Sequence, residues 1–243
     1  MHKLVSITAL CLTFASLAMA EIRPETENFH GNYLKYPVIS LEKKGVANKI
    51  NKFIFKSKEE LKKHHASQNG AADKISMSYS VIQETPRRLN LLLYSYTYNN
   101  GAAHGMYTAQ GLSYDLKSGK KAEVKDLLGK TTPEDLDAGI REGRYDFRDA
   151  GHNQLTLTDF WKVENVSDEC LLLEDGSVTL IYQPYDLAPF PRGNTFVNIP
   201  KNELTILKQL KVHKGEEPPT SEHELAPVIE QVLADRAAEL EKK

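Results

Sequence analysis

The chain has 243 residues with 31 lysines and arginines against 33 aspartates and glutamates, a formal charge of −2. That near balance lacks the basic excess that nucleic-acid binders usually carry, so nucleic acid is excluded as the expected partner. Two cysteines in the whole chain leave no framework of disulfides or thiolate metal ligands to stabilise a fold.

The N-terminus reads as a secretion signal. His2 and Lys3 start it, an apolar run occupies residues 4–17, and Ala18-Met19-Ala20 forms a small-x-small cleavage site ahead of the polar stretch from Glu21. The run is short for a membrane span, which takes about 20 apolar residues. A lipoprotein signal does not fit, because Cys11 lies inside the apolar run behind Leu10. Cleavage after Ala20 leaves 223 of the 243 residues, with Cys170 as the remaining cysteine and a periplasmic or secreted destination. Cys170 opens the apolar run Cys170-Leu171-Leu172-Leu173 and reads as a small buried hydrophobe rather than a reactive thiol. No other stretch is long and apolar enough to span a membrane.

Lys43, Lys44, Lys49, Lys52, Lys56, Lys58, Lys62 and Lys63 crowd the next segment, opposed mainly by Glu42, Glu59 and Glu60. Val46, Ile50, Phe53, Ile54 and Leu61 repeat there at helical spacing, which predicts an amphipathic helix with its lysines in water. Strands follow. Ile75, Met77, Tyr79 and Val81 alternate with polar residues, and Pro86 marks a turn. The run 89–98 then places Leu89, Leu91 and Leu93 on one face and Tyr94, Tyr96 and Tyr98 on the other. A strand over 106–116 ends at the turn Lys117-Ser118-Gly119. Residues 133–147 read as a helix with Thr132 as N-cap and Pro133 at its first position. Short strands are expected near 155–157, over 170–173, over 178–182 after the turn Glu174-Asp175-Gly176, and over 196–199. At the C-terminal end, Ser221 and Glu224 make a capping box ahead of a helix with Leu225, Ile229, Val232, Leu233, Ala237 and Leu240 on one stripe. This irregular interleaving predicts an α+β fold, antiparallel sheets with helices packed on one side. The expected divisions are a signal peptide over 1–20, a small α+β region over 21–100, an α+β domain over 101–210, and a loop with an acidic amphipathic helix over 211–243.

Catalytic motifs are missing from the sequence. It holds no Gly-x-Ser-x-Gly elbow, no His-Glu-x-x-His and no phosphate-cradling glycine loop. His30, His64, His65, His104, His152, His213 and His223 are scattered, and no metal site or cofactor is expected. Binding is therefore favoured over catalysis.

Two segments carry that expectation. Residues 96–105, Tyr-Thr-Tyr-Asn-Asn-Gly-Ala-Ala-His-Gly, put small residues and a positive-φ turn beside a tyrosine-rich strand. They read either as cross-strand tyrosine packing around a tight loop or as an aromatic platform for a sugar or a protein. Residues 182–193 hold three prolines in eight residues, a stiff corner that either locks two sheet edges or presents a preformed contact surface. The candidate ligand-binding residues are Tyr94, Tyr96, Tyr98, Asn100, His104, Tyr185, Asp186 and Arg192. A weak hydrolase using His104 with Asp115 or Asp186 is the enzymatic alternative.

The same segments carry a family resemblance. Gly101-Ala102-Ala103-His104 is followed by Tyr114-Asp115-Leu116-Lys117-Ser118-Gly119-Lys120 and Asp126-Leu127-Leu128. Leu173-Glu174-Asp175-Gly176 and then Pro184-Tyr185-Asp186-Leu187-Ala188-Pro189-Phe190, with Gly193 beyond, complete the order. The series resembles the C-terminal domain of the RsiV type, a domain of unknown function. That domain is found in the lysozyme-sensing anti-sigma factor RsiV, in the peptidoglycan deacetylase PdaC outside its catalytic domain, and in secreted mycobacterial antigens. Tyr36-Pro37-Val38-Ile39 with Asn48-Lys49-Ile50-Asn51 resembles the small domain that usually precedes it, so the resemblance spans about residues 33 to 205. It implies an α+β extracytoplasmic module without established catalysis of its own, linked to lysozyme or peptidoglycan. Ala102 departs from it, standing where the family has a second glycine. The sequence also shows no transmembrane helix, cytoplasmic segment or deacetylase domain, so the expectation is a bare module free in the periplasm. A lysozyme-type muramidase is the leading partner, with peptidoglycan or another glycan as the alternative.

Overall fold

The computed structural model describes residues 19–67 and 74–204. Two strands, β1 (Glu21–Phe29) and β2 (Asn32–Ser40), lead into a long helix, α1 (Lys44–Ser67). Strands β3 (Lys74–Glu84), β4 (Arg88–Tyr98) and β5 (Met106–Asp115) follow. These five strands lie in one sheet in sequence order. Every pairing is antiparallel except β2 with β3, where α1 forms the crossover that a parallel pair requires. Short helices α2 (Val124–Leu128) and α3 (Pro133–Arg141) precede the second sheet, built from β6 (Asp146–Arg148), β7 (Cys170–Leu172), β8 (Val178–Tyr182) and β9 (Thr195–Ile199). Its order is β6-β9-β8-β7, all antiparallel. The fold is α+β, as expected, with the refinement that the first sheet is mixed.

The predicted lysine-rich helix is α1. Its stripe Val46, Ile50, Ile54 and Leu61 is buried against Leu34, Ile75, Met77, Leu89, Leu91, Leu93 and Leu112 of the sheet. Asn51 on the same helix clamps β2, accepting from the Ile39 N–H and donating to the Ile39 carbonyl, each at 2.8 Å. The second sheet is covered likewise. Leu128, Leu136 and Ile140 from α2 and α3 pack on Val178, Leu180, Val197 and Ile199, with Cys170 among them. Burial pushes the Cys170 thiol up to about 11, in keeping with a packed hydrophobe rather than a nucleophile.

The two sheets meet on the faces opposite their helices. Leu92 and Ala109 of the first pack against Leu171 and Ile181 of the second, flanked by Tyr94, Leu173 and Phe196. The molecule is therefore layered helix, sheet, sheet, helix. This explains the unbroken apolar run in β4: its odd positions face α1 and its even ones face the other sheet. Gly111 permits the close approach, since a Cβ there would lie 2.5 Å from the Cys170 carbonyl oxygen. Polar side chains tie the edges. The Gln183 carboxamide accepts from the Ala109 N–H at 2.9 Å and donates to its carbonyl at 3.0 Å, closing the free edge of β5 as a strand would. Asn90 donates to the Leu172 carbonyl at 3.0 Å.

Two expectations need correction. The helix expected over 133–147 ends at Arg141, although its Thr132 cap and Pro133 start are present as a full capping box with Asp135. Gly143, at φ 68°, turns the chain, and Phe147 belongs to β6. Tyr145 and Phe147 are both buried at a spacing of two, the period of a strand. The strand expected near 155–157 is absent; only Gln154 bridges to Arg148, and Leu157 is half exposed. The hairpin β1–β2 adds an element that the sequence pattern does not mark, because its first strand carries few apolar side chains. Its turn falls at His30 and Gly31, both with positive φ. The C-terminal helix and its Ser221–Glu224 cap lie outside the described residues.

The hairpin is pinned to α1 by charge. Glu27 on β1 receives Lys58 and Lys62, the latter at 2.7 Å. These hydrogen bonds hold its carboxyl below the ordinary 4.5. A carboxyl with a depressed folded value stabilises the fold above its unfolded value and loses that contribution as pH falls through the folded one. The Glu27 contribution therefore fades below 4.5. The urea midpoint of the native chain should fall towards that of Glu27→Gln as pH drops from about 6 to about 3. A gap between the two that does not change with pH would refute the assignment.

Candidate functional site

The two segments singled out in the sequence come together at one edge of the molecule, joined by a contact between residues 81 positions apart. The loop after β4 closes with the Ala102 N–H donating to the Asn99 carbonyl at 3.0 Å, and Gly101 takes φ 87°. This delivers His104 to the corner after β8. There the Gln183 N–H donates to the Asp186 carboxylate at 2.8 Å while the Asp186 N–H donates to the Gln183 carbonyl at 3.1 Å. That doubly closed turn holds Tyr185 at φ 76°, a left-handed conformation that costs a tyrosine roughly 1 kcal/mol or more.

His104 joins the two segments. Its Nδ1 lies 2.9 Å from the Gly105 carbonyl, which can only accept, so this nitrogen carries the proton in the neutral ring. Nε2 then accepts from the Tyr185 hydroxyl at 3.0 Å. The imidazole also stacks on Phe190 with centroids 3.9 Å apart. From this junction the rings run in both directions. Tyr107 lies 6.2 Å from Phe190 and Tyr96 lies 4.9 Å from Tyr107; on the other side Tyr185 lies 5.5 Å from Phe190 and Trp161 lies 6.5 Å from Tyr185. Three of these rings are well exposed: Tyr107 at 49%, Trp161 at 46% and Tyr185 at 45%. Six aromatic groups thus form a continuous band, fixed from below by strands and by the proline corner.

The expected site residues divide accordingly. His104, Tyr185 and Tyr96 belong to the band. Asp186 is exposed directly beside Tyr185, and Asn100 is exposed in the loop's turn. Arg192 is turned aside to Asp159, its Nη2 donating at 2.7 Å, and this bond holds the Asp159 carboxyl below its ordinary value. Tyr98 is half-buried at the end of β4. Tyr94 is packed into the inter-sheet core, where burial raises its phenol pKa. Asp115 ends the strand that Met106 begins, about 30 Å away at a strand's rise. It is occupied by Ser118 and Arg87, so it cannot act with His104. Tyr107, Phe190 and Trp161 were not among the expected residues. The signal for Trp161 was available: it is the chain's single tryptophan, set between Phe160 and Lys162 in a polar stretch.

No family model matches the chain, and no curated protein matches it. Among solved structures, it is similar to a DUF3298 family protein from Pseudomonas aeruginosa PAO1, at 16% sequence identity and a TM-score of 0.50. That match covers 76% of this chain and 92% of the other. A DUF3298 family member from Bacteroides fragilis NCTC 9343 is also 16% identical, over 77% of this chain and 92% of that one, with a TM-score of 0.48. The Pseudomonas likeness shows that this chain has the fold of a DUF3298 protein, a family of unknown function. No helix among the described residues is long and apolar enough to cross a membrane.

Proposed function

We propose that this chain is a binding protein of the periplasm or secreted space, of the RsiV type, whose contact surface is the aromatic band centred on His104, Tyr185 and Phe190. Its partner is a lysozyme-type muramidase. The observation that carries the reading is the convergence of the two segments into an exposed ring system on a rigid base. Rigid aromatic side chains give large contact area at little entropic cost and dominate protein-binding hot spots. The strained Tyr185 supports the same reading, because backbone strain of this kind clusters where a side chain must be held for use. The family resemblance supplies the partner class. Muramidases of the lysozyme type are commonly cationic, and the acidic C-terminal segment, with Glu216, Glu217, Glu222, Glu224 and Glu230, would steer one in.

The test is direct. Purified mature protein mixed with lysozyme at low salt should co-elute on gel filtration and suppress lysis of a cell-wall suspension. Independent elution with undiminished lysis overturns the proposal. A glycan reading is favoured by one specific observation, the near-parallel setting of neighbouring rings: 25° for His104 on Phe190, 29° for Tyr185 on Phe190 and 24° for Trp161 on Tyr185. Rings so aligned suit the flat faces of sugars. Titration of muropeptides in a calorimeter separates the two, since heat with muropeptides and none with lysozyme would select the glycan.

A further inference from the structure

A small cavity opens beside the exposed end of the aromatic band. It holds about 210 Å³ and is lined by Glu164, Asn165, Ser167, Tyr182, Tyr185, Asp186 and Leu187. Pockets for drug-sized ligands run from about 300 to 1,000 Å³, so this one suits a single side-chain head group. Its chemistry is one-sided. Glu164 and Asp186 both present carboxylates, and neither forms an ion pair among the described residues.

The floor of the cavity supplies an independent observation. Tyr182 is 3% exposed, and its hydroxyl is buried without a hydrogen-bond partner. The hydroxyl lies near the Ser167 backbone and the Asp186 carboxylate, both in the cavity wall. A buried polar atom left unsatisfied is costly, and a ligand that reaches it removes the cost. Above the floor stand Tyr185 and, stacked on it, Trp161.

We propose that this cavity receives an arginine side chain of the partner protein, so that the aromatic band and the pocket together form one recognition surface. The inference rests on the protein-binding reading above. A guanidinium carries only donors and matches what the pocket offers: two carboxylates, the Tyr182 oxygen and the Asn165 carbonyl as acceptors. Its flat face stacks on Tyr185 and Trp161, which a lysine ammonium does less well. A sugar ring, by contrast, leaves the two carboxylates without charge partners.

Trp161 is the chain's single tryptophan and stacks on Tyr185, which lines the cavity, so its fluorescence reports occupancy. Mature protein is titrated with N-acetyl-arginine amide, and in parallel with the uncharged isostere N-acetyl-citrulline amide. The expected result is a saturable change with arginine, with a midpoint on the order of a millimolar, and none with citrulline. Glu164→Gln and Asp186→Asn each weaken the arginine titration about tenfold, and Tyr182→Phe weakens it while the fold is retained by circular dichroism. Equal responses to the two amides, or unchanged midpoints in both carboxylate variants, overturn the pocket. Its failure is distinguishable from that of the muramidase reading. Arginine binding with no lysozyme complex leaves the pocket standing and removes the muramidase. A lysozyme complex that survives Glu164→Gln with Asp186→Asn keeps the muramidase and removes the pocket.

Discussion

Replacing Gly111 with alanine should cost about 2–3 kcal/mol of stability, a fall in the thermal midpoint of roughly 5–10 °C for a chain of this size. Two effects oppose one another. Glycine inside a strand loses more chain entropy on folding than alanine does, which on its own favours the substitution by about 0.5–1 kcal/mol. Against this, the new Cβ would lie 2.5 Å from the Cys170 carbonyl oxygen, 2.9 Å from its carbonyl carbon and 2.7 Å from Ile181 Cδ1. Ile181 can change rotamer, but the Cys170 carbonyl is backbone within the second sheet, so relief requires the sheets to separate. Separation would also stretch the bond from the Gly111 N–H to the Glu169 carboxylate, now 2.8 Å, and open the contact of Leu92 with Leu171 and Ile181. The clash wins. Gly45→Ala is the matched control, since nothing lies within 4 Å of the position a Cβ would take at the start of α1. It should leave the midpoint unchanged or raise it slightly. Calorimetric scans of the two variants beside the native chain decide the matter, and equal midpoints for all three would refute the inter-sheet assignment.

How far the fold could be read from the chain depended on whether a segment buries one face or two, or neither. Helix α1 was legible because its stripe faces one core and its lysines face water. The same held for β9 and for the first half of β3, whose inward positions alternate. Strand β1 buries almost nothing, so Glu21–Phe29 carries no period to read. The segment over 133–147 begins with a strong cap, and the apolar Tyr145 and Phe147 extended the helix on paper. The switch from period 3.6 to period 2 at Gly143 is too short to detect without the structure. The candidate site was legible as two unusual segments but not as one place. The bond between His104 and Tyr185 spans 81 positions, and nothing local to either residue encodes it. Tyr94 was grouped with Tyr96 and Tyr98 because all three share a strand face. Only the arrival of the second sheet separates them, covering Tyr94 and leaving Tyr96 beside Tyr107.

Tyr185 should behave as a residue whose value lies in binding rather than in folding, and two substitutions separate these. Tyr185→Ala removes the ring from His104, Phe190 and Trp161 but keeps a β-carbon at φ 76°, so the strain of about 1 kcal/mol stays while the ring contacts go. Tyr185→Gly removes both. Glycine adopts this conformation freely, so relief of strain offsets much of the lost contact, and the variant should lie within about 1 kcal/mol of the native stability. For complex formation with lysozyme the expectation is the reverse. Both variants lose the central anchor of the aromatic band, and hot-spot aromatics cost 2 kcal/mol or more on truncation, about 30-fold or greater in affinity. His104 also loses the hydroxyl that Nε2 accepts from, which leaves its stack on Phe190 to hold the loop to the corner. The measurement is a pair of thermal scans beside a binding titration for each variant. Near-native stability with binding reduced at least about 30-fold in Tyr185→Gly supports a strained, preformed contact residue. Intact binding in that variant would place the contact surface elsewhere. A stability loss in Tyr185→Gly larger than in Tyr185→Ala would mean that the left-handed tyrosine is an ordinary part of the fold.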